Sequence, residues 1–338
     1  MSNGDTVSDI GENKLLDRIA ARLTGGQNWL GDDAAVVQAP SSSLLMSVDA
    51  VVEGIDFDLE YASGEDIGWK AVAVNVSDMA AMAGHPSFAL ASLTMRGDMP
   101  LDVFDGIIDG LSAASAEFGL QVVGGDISGG REISLSVSVL GASGASGVLK
   151  RSGARTGQAI CVTGTLGAAA GGLEVLRRNL RHTRPETGHA EAFERLALRQ
   201  LRPRPNVAAA KALAGYGASS MIDISDGLAI DLDRLLDASR KGCSLTGSSL
   251  PIDEDARALG DALTSGVFDP VRAALVGGED FEILCTLDVD RFEAARRAVA
   301  AEGSTLTAIG VVTPEGRTID GRSLDEWKEE AWEHLRSR

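Results

Sequence analysis

Six aspartates recur in one kind of setting along this chain. Asp33, Asp49, Asp78, Asp126, Asp223 and Asp226 each have small or glycine neighbours and lie at the end of an apolar segment. Any one of them alone has an ordinary reading as a cap or turn residue. Six in a repeated context are an excess of acids with no evident compensation, and a buried, unpaired carboxylate is costly. Hard oxygen donors without His or Cys clusters favour Mg²⁺ over zinc or copper. Several Mg²⁺ ions in a glycine-rich site are the equipment for binding a nucleoside triphosphate and transferring a phosphoryl group.

The stretch that organises these acids is Ala71 to Gly84. It opens behind Ser63-Gly64-Glu65-Asp66, which has capping-box spacing, and Gly84 with Pro86 beyond it reads as its stop. The spacing predicts one helix that is apolar on nearly every side and therefore buried. Asn75 and Asp78 break that pattern and share a face at i, i+3. Two readings of Asp78 stand open here: a metal ligand, or the N-cap of a shorter helix starting at Met79.

The other acids sit in strand-end contexts. Leu44 to Asp49 reads as a buried strand ending on a carboxylate, the place where α/β proteins put ligand contacts. Gly31-Asp32-Asp33 precedes the β-like run Ala34 to Val37. Gln121 to Val123 is a short strand running into Gly124-Gly125-Asp126, where two glycines would let a phosphate approach the backbone. Glu132 to Leu140 alternates, with Ile133, Leu135, Val137 and Val139 on one side and Ser134, Ser136 and Ser138 on the other. A Gly/Ser-rich segment, Gly141 to Gly147, marks the domain boundary, giving domains 1–148 and 149–338.

The second half repeats the theme. Strand Ala159 to Val162 leads through the glycine-rich Thr163 to Gly167 into a helix whose N-terminus could hold an anion. It is not a P-loop, because the Lys-Ser/Thr ending is absent. Met221 to Asp226 is another strand ending in carboxylates, followed by a helix with Ile230, Leu232, Leu235 and Leu236 as its apolar set. Gly277-Gly278-Glu279-Asp280 precedes a strand from Phe281 to Leu287. Strands alternating with helices in both halves indicate two α/β or α+β domains.

Composition narrows the partners. The 338 residues carry a formal net charge of -18, which argues against a nucleic-acid or anionic-membrane surface. The acidity leaves room for phosphorylated small molecules, since divalent cations carry phosphates into acidic sites. Three well-separated cysteines, Cys161, Cys243 and Cys285, give no disulfide framework, and the N-terminus lacks a basic-then-apolar leader. No apolar run is long enough to span a membrane. The expected location is the cytoplasm.

Taken in order, Gly31-Asp32-Asp33, Asn75 to Met82, Gly124-Gly125-Asp126, Lys150-Arg151-Ser152-Gly153, Asp223-Ile224-Ser225-Asp226-Gly227 and Gly277-Gly278-Glu279-Asp280 resemble the thiamine-monophosphate kinase family. The resemblance runs from about Gly11 to Trp332, and the motifs are specific in combination although each is weak. This family belongs to the aminoimidazole-ribonucleotide-synthetase-like (AIR-synthetase-like) superfamily. The resemblance implies an N-terminal α/β domain that pairs with a homodimer mate through strands, a C-terminal α/β domain, and an ATP site between them. It implies Mg²⁺ ligands at Asp33, Ser47, Val48 (through its backbone), Asp49, Asp78, Asp126, Asp223 and Asp226. Asp78, Asp126 and Asp226 would serve catalysis. Gly125, Asp126, Arg151 and Ser225 would contact ATP, and Asp56, Glu279 and Trp332 the thiamine monophosphate. An acid and an aromatic are sensible partners for a cationic ring.

The implied chemistry is in-line transfer of the ATP γ-phosphoryl to a phosphate whose second pKa is around 6, so that no general base is required. The chain departs from the family pattern twice. Val48 replaces a Thr, leaving only the backbone carbonyl as a ligand, and Asp56 replaces a His that contacts the substrate. Two competing readings are another ATP-dependent enzyme of the same superfamily, acting on a different phosphate or on an amide or carbonyl oxygen, and a non-catalytic nucleotide-binding protein.

Overall fold

The structure, a computed structural model, describes residues 6–10, 12–23, 43–183, 189–263 and 267–330. These fall into two compact units. The first comprises the chain up to Met79 together with Gly84–Ser143, and the second Ala80–Ala83 with the chain from Gly144 onward.

The first unit holds strands β1 (Leu44–Val52), β2 (Gly84–Met95), β3 (Gln121–Gly129) and β4 (Ser134–Ser143), in the sheet order β1-β4-β2-β3. Only β2 and β3 run parallel. Its longer helices are α1 (Glu12–Arg22), α2 (Gly64–Ala81) and α3 (Leu101–Phe118). The predicted capping box forms: the Ser63 amide and hydroxyl donate to Asp66 Oδ2 at 3.0 and 2.7 Å, and the Asp66 amide donates to Ser63 Oγ at 3.3 Å. Glycines let α2 cross α3 backbone to backbone. A Cβ on Gly68 would lie 2.1 Å from the Ile107 carbonyl oxygen, and one on Gly110 2.1 Å from that of Glu65. The stop differs from the expected one: α2 ends at Ala81, Ala83 turns at φ 56°, and Gly84 and Pro86 already belong to β2.

Two strand readings are corrected. β1 is an edge strand, not a buried one, and it continues past Asp49 to Val52. Its alternate residues Leu44, Met46 and Val48 are 50%, 68% and 61% exposed. The register row Val48–Ser138–Leu90 puts them on the face that carries the β4 serines. The Gly124-Gly125-Asp126 triplet is not a loop after a strand but part of β3 itself. A Cβ on Gly125 would sit 1.8 Å from the Ala91 carbonyl oxygen, so the glycine is needed for the β2–β3 pairing before any ligand is considered.

The second unit is built on a seven-stranded sheet, order β11-β10-β7-β9-β5-β8-β6. Its strands are β5 (Ala159–Thr163), β6 (Ser220–Ile224), β7 (Gly242–Leu245), β8 (Glu282–Leu287), β9 (Leu306–Thr313), β10 (Arg317–Ile319) and β11 (Arg322–Ser323). Every residue of β5, β6 and β8 is buried, because alternate side chains enter two different cores. Ile160, Val162, Ile222 and Leu284 pack with α7 (Leu228–Ser239) and α9 (Pro270–Val276). Cys161, Met221, Ile283 and Cys285 pack with α6 (Val207–Gly215) and α10 (Phe292–Ala301). The remaining helices of five residues or more are α4 (Ala168–Arg177), α5 (Ala190–Leu201), α8 (Glu254–Ala262) and α11 (Leu324–Lys328). No helix among the described residues is long and apolar enough to cross a membrane.

Candidate active site

In the first unit the acids meet through α2. Asp78 lies inside that helix, three residues from its end, so the N-cap reading is excluded. Its carboxylate accepts a hydrogen bond from the Ser47 hydroxyl of β1, and no ion pair to it occurs among the described residues. Asn75, fully buried one turn earlier, donates to the Ala71 carbonyl at 3.0 Å and accepts from the Asp49 amide at 2.9 Å. Helical spacing on α2 and strand spacing on β1 thus clasp Ser47, Asp49 and Asp78. Asp126 is on the opposite edge of the sheet, opposite Ser92 of β2, and accepts from Ser128 at 2.9 Å. Asp33 and Trp332 lie outside the described residues.

Asp56 turns back on its own chain. Its Oδ2 accepts from the Val52 amide at 2.8 Å, and its carbonyl oxygen accepts from the buried Lys70 ammonium at 2.8 Å. The acid at this position therefore has a structural employer, a tight turn at the end of β1.

The second unit treats its acids differently. Asp223, 3% exposed, is the penultimate residue of β6, and the turn Ser225–Gly227 leads into α7. Here the structure supplies a residue that the sequence reading passed over. Asp231, fully buried, accepts from the amides of Ser225 and Asp226 at 3.0 and 2.9 Å through one oxygen, and from Arg234 at 2.9 Å through the other. Arg234 also pairs with Asp226. Burial, then the charges of Asp223 and Asp226, push the Asp231 carboxyl up to about 7. The missed signal is an acid on the apolar stripe Leu228, Leu232, Leu235, where Ile230, counted as inward by sequence, is only half-buried. Arg151 is exposed, and its carbonyl accepts from Ser239 at 3.1 Å.

The Gly277–Phe281 loop lies against the same turn. The Glu279 amide donates to the Ser225 carbonyl and the Phe281 amide to that of Ile224, both at 2.8 Å. The Glu279 carboxylate accepts from Gln200 of α5. The helix N-terminus after Thr163–Gly167 does hold an anion, and it is the chain's own: Asp280 accepts from the amides of Gly167 at 2.7 Å and Ala169 at 3.1 Å. Burial pushes this carboxyl up to about 7 against those donors and Arg199.

Among the described residues no three His, Cys, Asp or Glu side chains are grouped so as to hold a metal ion. The donor set nevertheless suits Mg²⁺, which is commonly held by one or two carboxylates together with water and nucleotide phosphates. Asp78 and Asp126 offer such oxygens with no cation beside them among the described residues.

Comparison with known proteins agrees with this architecture. Residues 31–143 match the AIR synthase related protein, N-terminal domain, and residues 155–320 its C-terminal domain. The fold is therefore the two-domain α/β architecture of AIR synthase related proteins. A thiamine-monophosphate kinase of Aquifex aeolicus is 33% identical over 332 residues, covering 97% of this chain and 99% of the relative. The crystal structure of a thiamine-monophosphate kinase from Stenotrophomonas maltophilia superposes with a TM-score of 0.79 at 33% identity, over 91% of this chain and 96% of that one. AaThiL, complexed with AMPPCP and TMP, superposes with a TM-score of 0.75 at 31% identity, over 94% and 96% of the two chains. The chain belongs to the thiamine-monophosphate kinase family.

Proposed function

We propose that this chain transfers the γ-phosphoryl group of ATP in line to the phosphate of thiamine monophosphate, giving thiamine diphosphate, with Mg²⁺ assistance. The observation that carries the metal part of the reading is Asp78, an acid in the last turn of a largely buried helix whose described partner is a neutral hydroxyl. Bound Mg²⁺ would supply charge neutralisation on the phosphates. Ser47, Asp49 and Asp78 in one unit, and Asp126 at the far edge of its sheet, are the proposed holders, with the Val48 carbonyl and Asp33. Asp223 and Asp226 are those of the other unit. Asp78, Asp126 and Asp226 carry the largest share of catalysis on this reading.

Ser225, Gly125 and Arg151 contact the nucleotide, the Ser225 backbone being held by Asp231. Glu279 faces the cationic rings of the acceptor, with Trp332 as its aromatic companion. An acceptor phosphate already largely ionised near neutral pH attacks without a general base, so the residues' task is orientation and charge placement. Asp56, bonded to the Val52 amide, keeps its carboxylate occupied within its own turn, which lessens its repulsion of the acceptor. The exposed apolar and serine face of the first unit's sheet suits a second copy of the chain, and we assign a homodimer to it. Three buried free cysteines suit a reducing cytoplasm.

The test is Mg²⁺–ATP turnover with thiamine monophosphate beside a panel of other phosphate acceptors. Thiamine diphosphate and ADP in equal amounts are expected. Turnover of another acceptor in place of thiamine monophosphate would leave only the superfamily reading.

A further inference from the structure

The backbone around Asp280 is unusual. Glu279 and Phe281, the residues on either side, both adopt left-handed conformations, with φ 69° and 51°. Such conformations disfavour non-glycine residues, and they persist where surrounding structure over-determines them. The preceding Gly277 and Gly278 could have taken a left-handed turn at no steric cost, yet they do not have positive φ.

What over-determines the two residues is visible. Each donates its amide to the β6 end, Glu279 to Ser225 and Phe281 to Ile224. Between them Asp280, 5% exposed, points the other way and bonds Gly167 and Ala169 at the start of α4, a ten-residue helix. The loop is thus pinned on one side by carbonyls at the end of β6, which accept from its amides, and on the other by its own carboxylate on a helix end. Reversing direction twice in three residues throws the Glu279 side chain out to meet Gln200, itself 4% exposed.

We infer that Asp280 is a positioning residue for the acceptor substrate: by anchoring to the Gly167 and Ala169 amides it forces Glu279 into its left-handed conformation and so aims the Glu279 carboxylate. This rests on the reading of Glu279 as a contact to thiamine monophosphate. Asp280 touches no substrate itself. Its loss lets the loop relax, and Glu279 swings from its place without leaving the chain.

The experiment compares steady-state kinetics of Asp280→Ala, Asp280→Asn and Glu279→Gln in the full-length protein, varying thiamine monophosphate and ATP separately, with thermal melts alongside. Misplacement of a substrate-orienting group by an ångström is enough to lose ~10-fold or more, so Asp280→Ala is expected to raise the KM for thiamine monophosphate by at least ~10-fold. The KM for ATP should move by less than ~3-fold, a split that general loosening of the fold would not produce. Asp280→Asn retains one acceptor oxygen at the helix end and should fall between Asp280→Ala and the native protein. If Asp280→Ala does not fold, the same split in Asp280→Asn decides. A Glu279→Gln variant with a raised KM beside Asp280 variants with an unchanged one would overturn the inference alone. An unchanged KM in Glu279→Gln would remove the reading of Glu279 and the inference with it. Parallel rises in both KM values would reduce Asp280 to a cap of α4.

Discussion

The two units handle their candidate site acids differently. In the first, Asp78 is met by a serine hydroxyl, Asp49 is tied by its amide to Asn75, and Asp126 is met by Ser128. In the second, Asp226 has Arg234, Asp231 has Arg234 and two amides, and Asp280 has two amides at a helix end. Their sheets differ in the same sense. Strands β5, β6 and β8 of the seven-stranded sheet are covered on both faces, whereas the four-stranded sheet leaves Met46, Val48 and Leu90 exposed. Among the described residues, Asp226, Asp231 and Asp280 of the second unit meet a cation or backbone amides, whereas Asp78 and Asp126 of the first meet neutral hydroxyls, and the first unit's sheet has an exposed apolar face. Acids bonded to backbone amides, such as Asp231 and Asp280, hold the chain, and acids met by neutral hydroxyls, such as Asp78 and Asp126, are the most open to an external cation.

The largest effect is expected at Asp78. Asp78→Asn should lower turnover on the order of 10²-fold or more with the melting temperature little changed, because a carboxylate that holds a metal stabilises charge in the transition state. Close to native activity across a Mg²⁺ titration would make Asp78 merely the partner of Ser47 and erase the contrast between the units.

Asp231 probes the other side. Asp231→Ala removes the acceptor of two half-buried amides and should raise the KM for ATP by ~10-fold or more as the Ser225–Asp226 turn loosens. Asp231→Asn can keep both amide bonds through its oxygen and should recover most of that loss. Equal damage from both variants would mean that the charge, not the acceptor, matters, placing Asp231 with the first unit's acids.

The uncovered sheet face gives a third test. Val48→Lys or Met46→Glu should weaken self-association by at least ~10-fold, or ~1.4 kcal/mol, as read by sedimentation equilibrium. A native protein that sediments as a fully active monomer at micromolar concentration would show that the exposed face needs no second copy.

The smallest effect is in pH-dependent stability. Asp231 and Asp280 are both pushed up to about 7 by burial, from an ordinary value of 3.8. A carboxyl with a raised folded-state pKa favours the folded form when protonated, so its contribution is full below about pH 4 and is lost as pH rises through about 7. Melting temperature in Mg²⁺-free buffer should fall across that window, and Asp280→Asn should flatten part of the slope. An unchanged slope would mean that the α4 amides keep Asp280 ionised throughout.

Much of this was legible in the residues themselves. The Ser63/Asp66 cap announces its helix because that signal is local. The aspartate contexts marked Asp78, Asp126 and Asp226 as unusual because small neighbours and apolar runs are visible along the chain. Tertiary structure alone decided the rest. That Asp78 is inside a helix clasped to Ser47, that β1 is an edge strand, and that Gly125 answers to the Ala91 carbonyl depend on which strands pair. Asp231 takes its amides and guanidinium from three to six residues away, within its own turn and helix, whereas the partners of Asp280 are brought to it by packing from elsewhere in the chain. For Asp280 those amides lie more than a hundred residues away, where no local spacing could reveal them.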